Sequence, residues 1–145
     1  MRFSMAVEAA RARYPDNGRF SLLLDESIND VVKRERVPAA RGIYIIYSCD
    51  DAARPLYIGR AGTVNQDGKW KKQGLAKRLT MKQQGKYRRD YFQDQMSKQS
   101  IAALTFHWFV THDQTNKVIP ALAEMELLQA HFDEYDCLPA LNLCA

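Results

Sequence analysis

Gly42-Ile43-Tyr44-Ile45-Ile46-Tyr47-Ser48, followed a short distance on by Pro55-Leu56-Tyr57-Ile58-Gly59, decides the fold reading. β-Branched and aromatic residues dominate the first run, a composition that suits a buried strand. Residues 49–54 make a turn, and the second run has the composition to return as the hairpin partner, with proline tolerated at a strand start. Alternation along a strand puts Tyr44 and Ile46 on one face and Ile43, Ile45 and Tyr47 on the other, while Tyr57 and Gly59 oppose Leu56 and Ile58. Both tyrosines are therefore expected to look the same way, although the hairpin register is not deducible from the residues alone.

Upstream, residues 1–14 carry helix-compatible alanines and stop at the turn formers Tyr14-Pro15-Asp16-Asn17-Gly18. Residues 19–24 read as extended, and Ile28, Val31 and Val32 recur at helical spacing before Pro38. Downstream, residues 63–69 read as a polar loop. A basic helix is expected from near Gly74 toward Gln84, and a second one over residues 87–98. Residues 104–110 form the clearest further strand, and residues 120–135 the clearest amphipathic helix, opened by Pro120. The expected class is α+β, a small α/β sandwich around a three-stranded, largely antiparallel sheet flanked by helices. At 145 residues the chain is expected to form a single domain, residues 1–145, with an N-terminal extension over 1–39 and a core over 40–143.

An apolar content of 46% supports a core and excludes intrinsic disorder. No apolar run approaches the ~18 residues that span a bilayer, so no membrane partner is expected, and no secretory signal is recognisable. Cys49, Cys137 and Cys144 form no C-x-x-C pair and leave an odd thiol, which fits a reducing, cytoplasmic compartment.

The net charge of +4 is unevenly spread. Residues 54–98 hold 12 Arg/Lys against 3 Asp/Glu, whereas residues 99–145 hold 1 against 6. Lys69, Lys71, Lys72, Lys77, Arg78, Lys82, Lys86, Arg88 and Arg89 are interleaved with Trp70 and Tyr87 and followed by Tyr91 and Phe92. That mixture suits phosphate contact with base stacking, and equally a solvated helix face.

Gly42-Ile43-Tyr44 and Tyr57-Ile58-Gly59, followed in order by Arg60, Arg78, Glu124 and Asn142, resemble the signature of the GIY-YIG nuclease superfamily over roughly residues 40–143. The resemblance implies a GIY-YIG-like fold and a DNA endonuclease that hydrolyses phosphodiesters with one divalent cation, Mg²⁺ or Mn²⁺, held by Glu124. It implies catalytic roles for Tyr44, Tyr57, Arg78 and Glu124. Helical periodicity also prefers Glu124 to Glu126, because Leu127, Leu128 and His131 lie three, four and seven residues on. A phenol such as Tyr44 needs a neighbouring cation to lower its pKa if it is to act as a base. Arg78 suits bidentate phosphate contact. Substrate binding is expected of Gly42, Gly59, Arg60, Lys69, Lys71, Lys72, Lys82 and Asn142, the last of these resembling a structural clamp or a phosphate contact.

The sequence departs from the family at Lys82, where histidine or tyrosine is usual, with Tyr87 as a replacement aromatic, and in an inserted loop over residues 63–74. That loop reads either as a specificity element entering a groove or as a surface excursion. His107 and His112 are expected at the surface, and His131 shares a helix face with Glu124. The chain is expected to be a restriction-type or mobile-element endonuclease, with double-strand cleavage requiring a homodimer or successive nicks. The competing reading is a nucleic-acid-binding module that kept the scaffold and lost turnover.

Overall fold

A computed structural model describes residues 2–71, 74–80, 82, 83 and 86–145, with the side chains of residues 82, 83, 86, 87 and 89 outside that description. The expectations placed on Lys72, and on the side chains of Lys82 and Tyr87, lie outside the described residues.

The elements run α1 (Phe3–Arg13), β1 (Asn17–Leu23), α2 (Ile28–Arg34), β2 (Arg41–Ser48), β3 (Tyr57–Ala61), α3 (Leu75–Arg78), β4 (Lys82–Gln83), β5 (Lys86–Tyr87), α4 (Arg88–Lys98), β6 (Ala103–His112) and α5 (Pro120–Tyr135). The class is α+β. The main sheet has four strands in the order β1-β6-β2-β3, all neighbours antiparallel, rather than the expected three. The additional strand is β1, which pairs with β6 along its whole length, from Asn17 opposite Phe109 to Leu23 opposite Ala103. Its alternation buries Phe20 and Leu22 and exposes Arg19, Ser21 and Leu23, as an edge strand with one covered face requires. Residues 3–34 are thus built into the sheet and both of its helical layers.

Residues 42–47 of β2 are buried on both faces, which explains their continuous apolar run. One face carries Ile43, Ile45, Tyr47, Ile58 and Phe109 under α1 and α5. The other carries Tyr44, Ile46, Phe106, Leu104 and Val110 under α2, α3 and α4. Helix α5 starts with Pro120 at its first turn and ends at Asp136, whose φ of 57° terminates it while its N–H donates to the Phe132 carbonyl.

The basic helix expected over 74–84 is a single turn. The Thr80 N–H and Oγ1 both donate to the Lys77 carbonyl at 3.1 and 2.9 Å, a local closure that competes with helix propagation, and the short β4–β5 ribbon follows. Ala39 and Pro38 hold this turn against β2: a Cβ on Gly74 would lie 1.8 Å from the Ala39 carbonyl oxygen, and Ala76 N–H donates to Pro38. Among the described residues, no helix is long and apolar enough to cross a membrane.

Candidate active site at the open edge of the sheet

Register supplies what composition left open. Tyr44 stands opposite Gly59 and Ile46 opposite Tyr57, so Tyr44 and Tyr57 are diagonal neighbours on one face with ring centroids 5.9 Å apart. Gly59 is what makes this possible. A Cβ there would lie 2.5 Å from Tyr44 Cζ and 2.6 Å from its Oη, so the tyrosine ring occupies the volume a side chain would take. Gly42 is small for a different reason. A Cβ there would meet the Phe109 carbonyl oxygen at 1.8 Å, beside the irregularity that brings β2 onto β6. It serves close strand approach inside the sheet.

Because β3 is an edge strand, side chains from both of its faces share one rim. Arg60, on the α5 side, donates from Nη1 to Glu124 Oε1 at 2.7 Å. The Glu124 side chain is only 13% exposed, whereas Arg60 remains 42% exposed. Burial pushes the Glu124 carboxyl above its usual range; the Arg60 charge and hydrogen bond, and then the Arg78 charge, oppose that rise without cancelling it. Glu126, two residues on, is exposed and makes a 3.9 Å contact with Arg13, in keeping with the periodicity argument.

The phenol of Tyr57 behaves differently from what a lowered pKa would need. Burial raises it first, the neighbouring Tyr44 phenol raises it further, the Arg88 and Arg78 guanidiniums pull it down, and Glu124 raises it slightly. The net direction is upward, so Tyr57 stays a neutral hydrogen-bond donor at any working pH. Tyr44 is 1% exposed and its buried hydroxyl has no hydrogen-bond partner among the described residues. Arg78, at the end of α3, is half-buried with an Nε that has no partner among the described residues, and its charge acts on both Tyr57 and Glu124. Tyr57 thus stands beside Tyr44 and within electrostatic range of Arg78 and Glu124, linking β2, β3, α3 and α5.

Sequence reasoning missed Arg88. Amid a basic run it reads as solvated, yet it is 1% exposed and heads the largest fully buried side chains among the described residues. The available signal was its spacing: Arg88, Tyr91, Phe92 and Met96 form one helical stripe, and the last three are core residues beside Tyr44. Asn142 is a clamp: its Oδ1 accepts from Ile58 N–H and its Nδ2 donates to Ile58 O, each at 2.9 Å, so both halves of its amide are spent on β3. Lys69 and Lys71 are exposed beyond the end of β3.

The histidines need correction. His107 is 1% exposed rather than at the surface, bonded through Nε2 to Asn17 Oδ1 and packed on Phe109; burial pushes its imidazole down to about 4. His112 is half-buried against Trp70. His131 shares α5 with Glu124 but bonds the Cys137 carbonyl at 2.7 Å, away from the rim. Comparison with protein-family models, with curated proteins and with solved structures finds no match to this chain.

For a divalent cation the donor set is one carboxylate, Glu124, with one oxygen on Arg60 and the other without a partner among the described residues. Mg²⁺ is commonly held by one or two carboxylates, its own waters and substrate phosphate, and the residues fit that mode. Among the described residues no cluster of three His, Cys, Asp or Glu side chains converges, so any fit is to an ion shared with substrate rather than caged by protein.

Proposed function

We propose that the chain is a GIY-YIG-type, divalent-metal-dependent endonuclease hydrolysing DNA phosphodiester bonds. The observation that carries this reading is the convergence of two strand tyrosines, a helical guanidinium and a largely buried carboxylate at the rim of β3. Each group meets a demand of the chemistry. The Arg78 fork grips phosphoryl oxygens and stays charged throughout the working range. The Tyr57 hydroxyl donates to a phosphate oxygen, since burial holds its proton in place. The unpartnered Tyr44 Oη accepts a hydrogen bond from the attacking water and orients it. Glu124 would hold the cation, with Arg60 balancing the carboxylate before substrate arrives. When bound there, Mg²⁺ or Mn²⁺ supplies Lewis-acid polarisation of the phosphoryl oxygen.

One nick per site follows from this chemistry, so double-strand cleavage takes a homodimer or two successive events. Restriction-type or mobile-element action suits a chain of this kind. The 2.7 Å Arg60–Glu124 pair favours a second reading, a nucleic-acid-binding module whose carboxylate is closed by arginine. Supercoiled plasmid incubated with Mg²⁺ or Mn²⁺ against EDTA separates the two. The nuclease reading expects metal-dependent nicking, reduced by about 10²-fold or more in Tyr44→Phe, with DNA binding retained. Binding without nicking, whichever metal is supplied, selects the module.

A further inference from the structure

Over residues 63–71, the segment that follows β3 is an ordered hairpin, not the loose excursion its polarity allowed. Asn65 N–H donates to the Lys69 carbonyl at 2.7 Å, Gly68 N–H to Asn65 at 2.9 Å, and Lys71 N–H to Thr63 at 3.0 Å, with Val64 and Trp70 bridged across it. Gly68 takes the positive φ of 83° that closes the tip. Trp70 then fastens the hairpin to the sheet. Its ring lies 4.6 Å from the Arg41 guanidinium at the start of β2 and 4.6 Å from the His112 ring at the end of β6. Gly62, at φ 105°, leaves room for Arg41 to fold over: a Cβ there would be 2.9 Å from Arg41 Cγ.

The pinning has a directional consequence. Side chains alternate along an extended hairpin arm, so with Trp70 turned to the sheet, Lys69 and Lys71 on either side of it face outward, and both are exposed. Lys71 is paired with Thr63, two residues past the end of β3, so both lysines stand beyond that end of the strand, next to Arg60.

We propose that residues 63–71 form a pre-set arm that presents Lys69 and Lys71 to the phosphate backbone of duplex DNA lying across the β3 rim, with Trp70 as the pin that aims them. The proposal rests on the nuclease reading for its ligand, and its failure is separable from the failure of that reading. The arm enters the duplex already ordered, so no loop-ordering entropy opposes its phosphate contacts.

Fluorescence anisotropy with a labelled DNA duplex in EDTA, across a KCl series, tests it without turnover. Each phosphate contact adds about 0.9 to the magnitude of the log–log salt slope, so the Lys69→Gln/Lys71→Gln double variant is expected to lose roughly 1.8 from it. Trp70→Ala is expected to lose a comparable amount with both lysines still present, while Trp70→Phe keeps the ring and most of the slope. Lys33→Gln, on α2, is the charge control and leaves the slope unchanged. Wild-type binding with an unaltered slope in the double variant, or in Trp70→Ala, overturns the arm. If the wild type shows no salt-dependent binding, the arm and the nuclease reading fall together. Slope losses as expected in a protein that never nicks DNA uphold the arm and direct the parent reading to the binding module.

Discussion

The two faces of the central sheet are built from the same strands and do different work. Under α1 and α5, β2 and β3 present Ile43, Ile45 and Ile58, closed over by Phe3, Val7, Leu127 and Leu128. Two residues of opposite parity turn the other face into a wet-edged cluster: Tyr44 and Tyr57, joined by Arg78 and Arg88. Strand alternation is enough to separate a packing surface from a chemical one across a single layer of backbone. Burial stabilises both faces; what sets the second apart is the gathering of two phenols and two guanidiniums, while the carboxylate that burial opposes, Glu124, stands on the α5 side of the same rim.

The strongest way to sharpen that comparison is Glu124→Gln. Cleavage is expected to fall by on the order of 10³-fold, several kcal/mol of barrier, while thermal stability holds or rises. The sign follows from the raised carboxyl. Its destabilising contribution is absent below the ordinary carboxylate range, grows as pH rises toward the folded-state value, and is constant above it. The variant should therefore melt no lower than wild type at neutral pH, with the two converging in acid. A variant that melts clearly lower at neutral pH sinks the idea that this carboxylate is held at a cost.

Within the apolar core under α1 and α5, Ile45→Ala is expected to invert the pattern. Ile45 is fully buried, and losing its methyl groups costs about 3 kcal/mol in unfolding free energy, measurable by denaturant titration. Turnover per folded molecule should be unchanged. Gly59→Ala tests the contact between the two functions. Its methyl would invade the Tyr44 ring, costing about 2 kcal/mol by overpacking, and displacing that ring is expected to lower kcat by about 10²-fold.

The smallest effect at neutral pH belongs to His107, a buried imidazole of the packing face. Held neutral with its imidazole near 4, it withholds nothing from the fold above its ordinary value and lowers stability by about 1.4 kcal/mol per pH unit as acidity increases toward 4. His107→Phe should flatten the melting temperature over that window. An unchanged acid slope would place the sensitivity elsewhere.

Much of this architecture was legible. β2, β3, β6 and α5 announce themselves because each is a local pattern: a β-branched run, its short echo, an aromatic strand, a proline-opened amphipathic stretch. The partner of β1 was not, since residues 19–24 could be seen as extended but the pairing of Asn17–Leu23 with β6 joins residues 80 to 92 apart in sequence. The helix expected after Gly74 failed for the reverse reason, because composition over ten residues is a weak prior against one threonine that closes the turn. Of the site, Tyr44, Tyr57, Arg78 and Glu124 were visible as residue types in order, whereas the ion pair of Arg60 with Glu124 and the burial of Arg88 and His107 depend on what packs above them. Polarity predicts exposure on average, and those buried residues are the exceptions that tertiary packing creates.

Asn142 has a consequence for how the molecule behaves in company. By meeting Ile58 with both an acceptor and a donor, its amide counterfeits one rung of a fifth strand on the side where β3 would otherwise recruit a neighbour. A single side chain thereby blocks strand addition at Ile58, on the border where the proposed endonuclease would take its substrate.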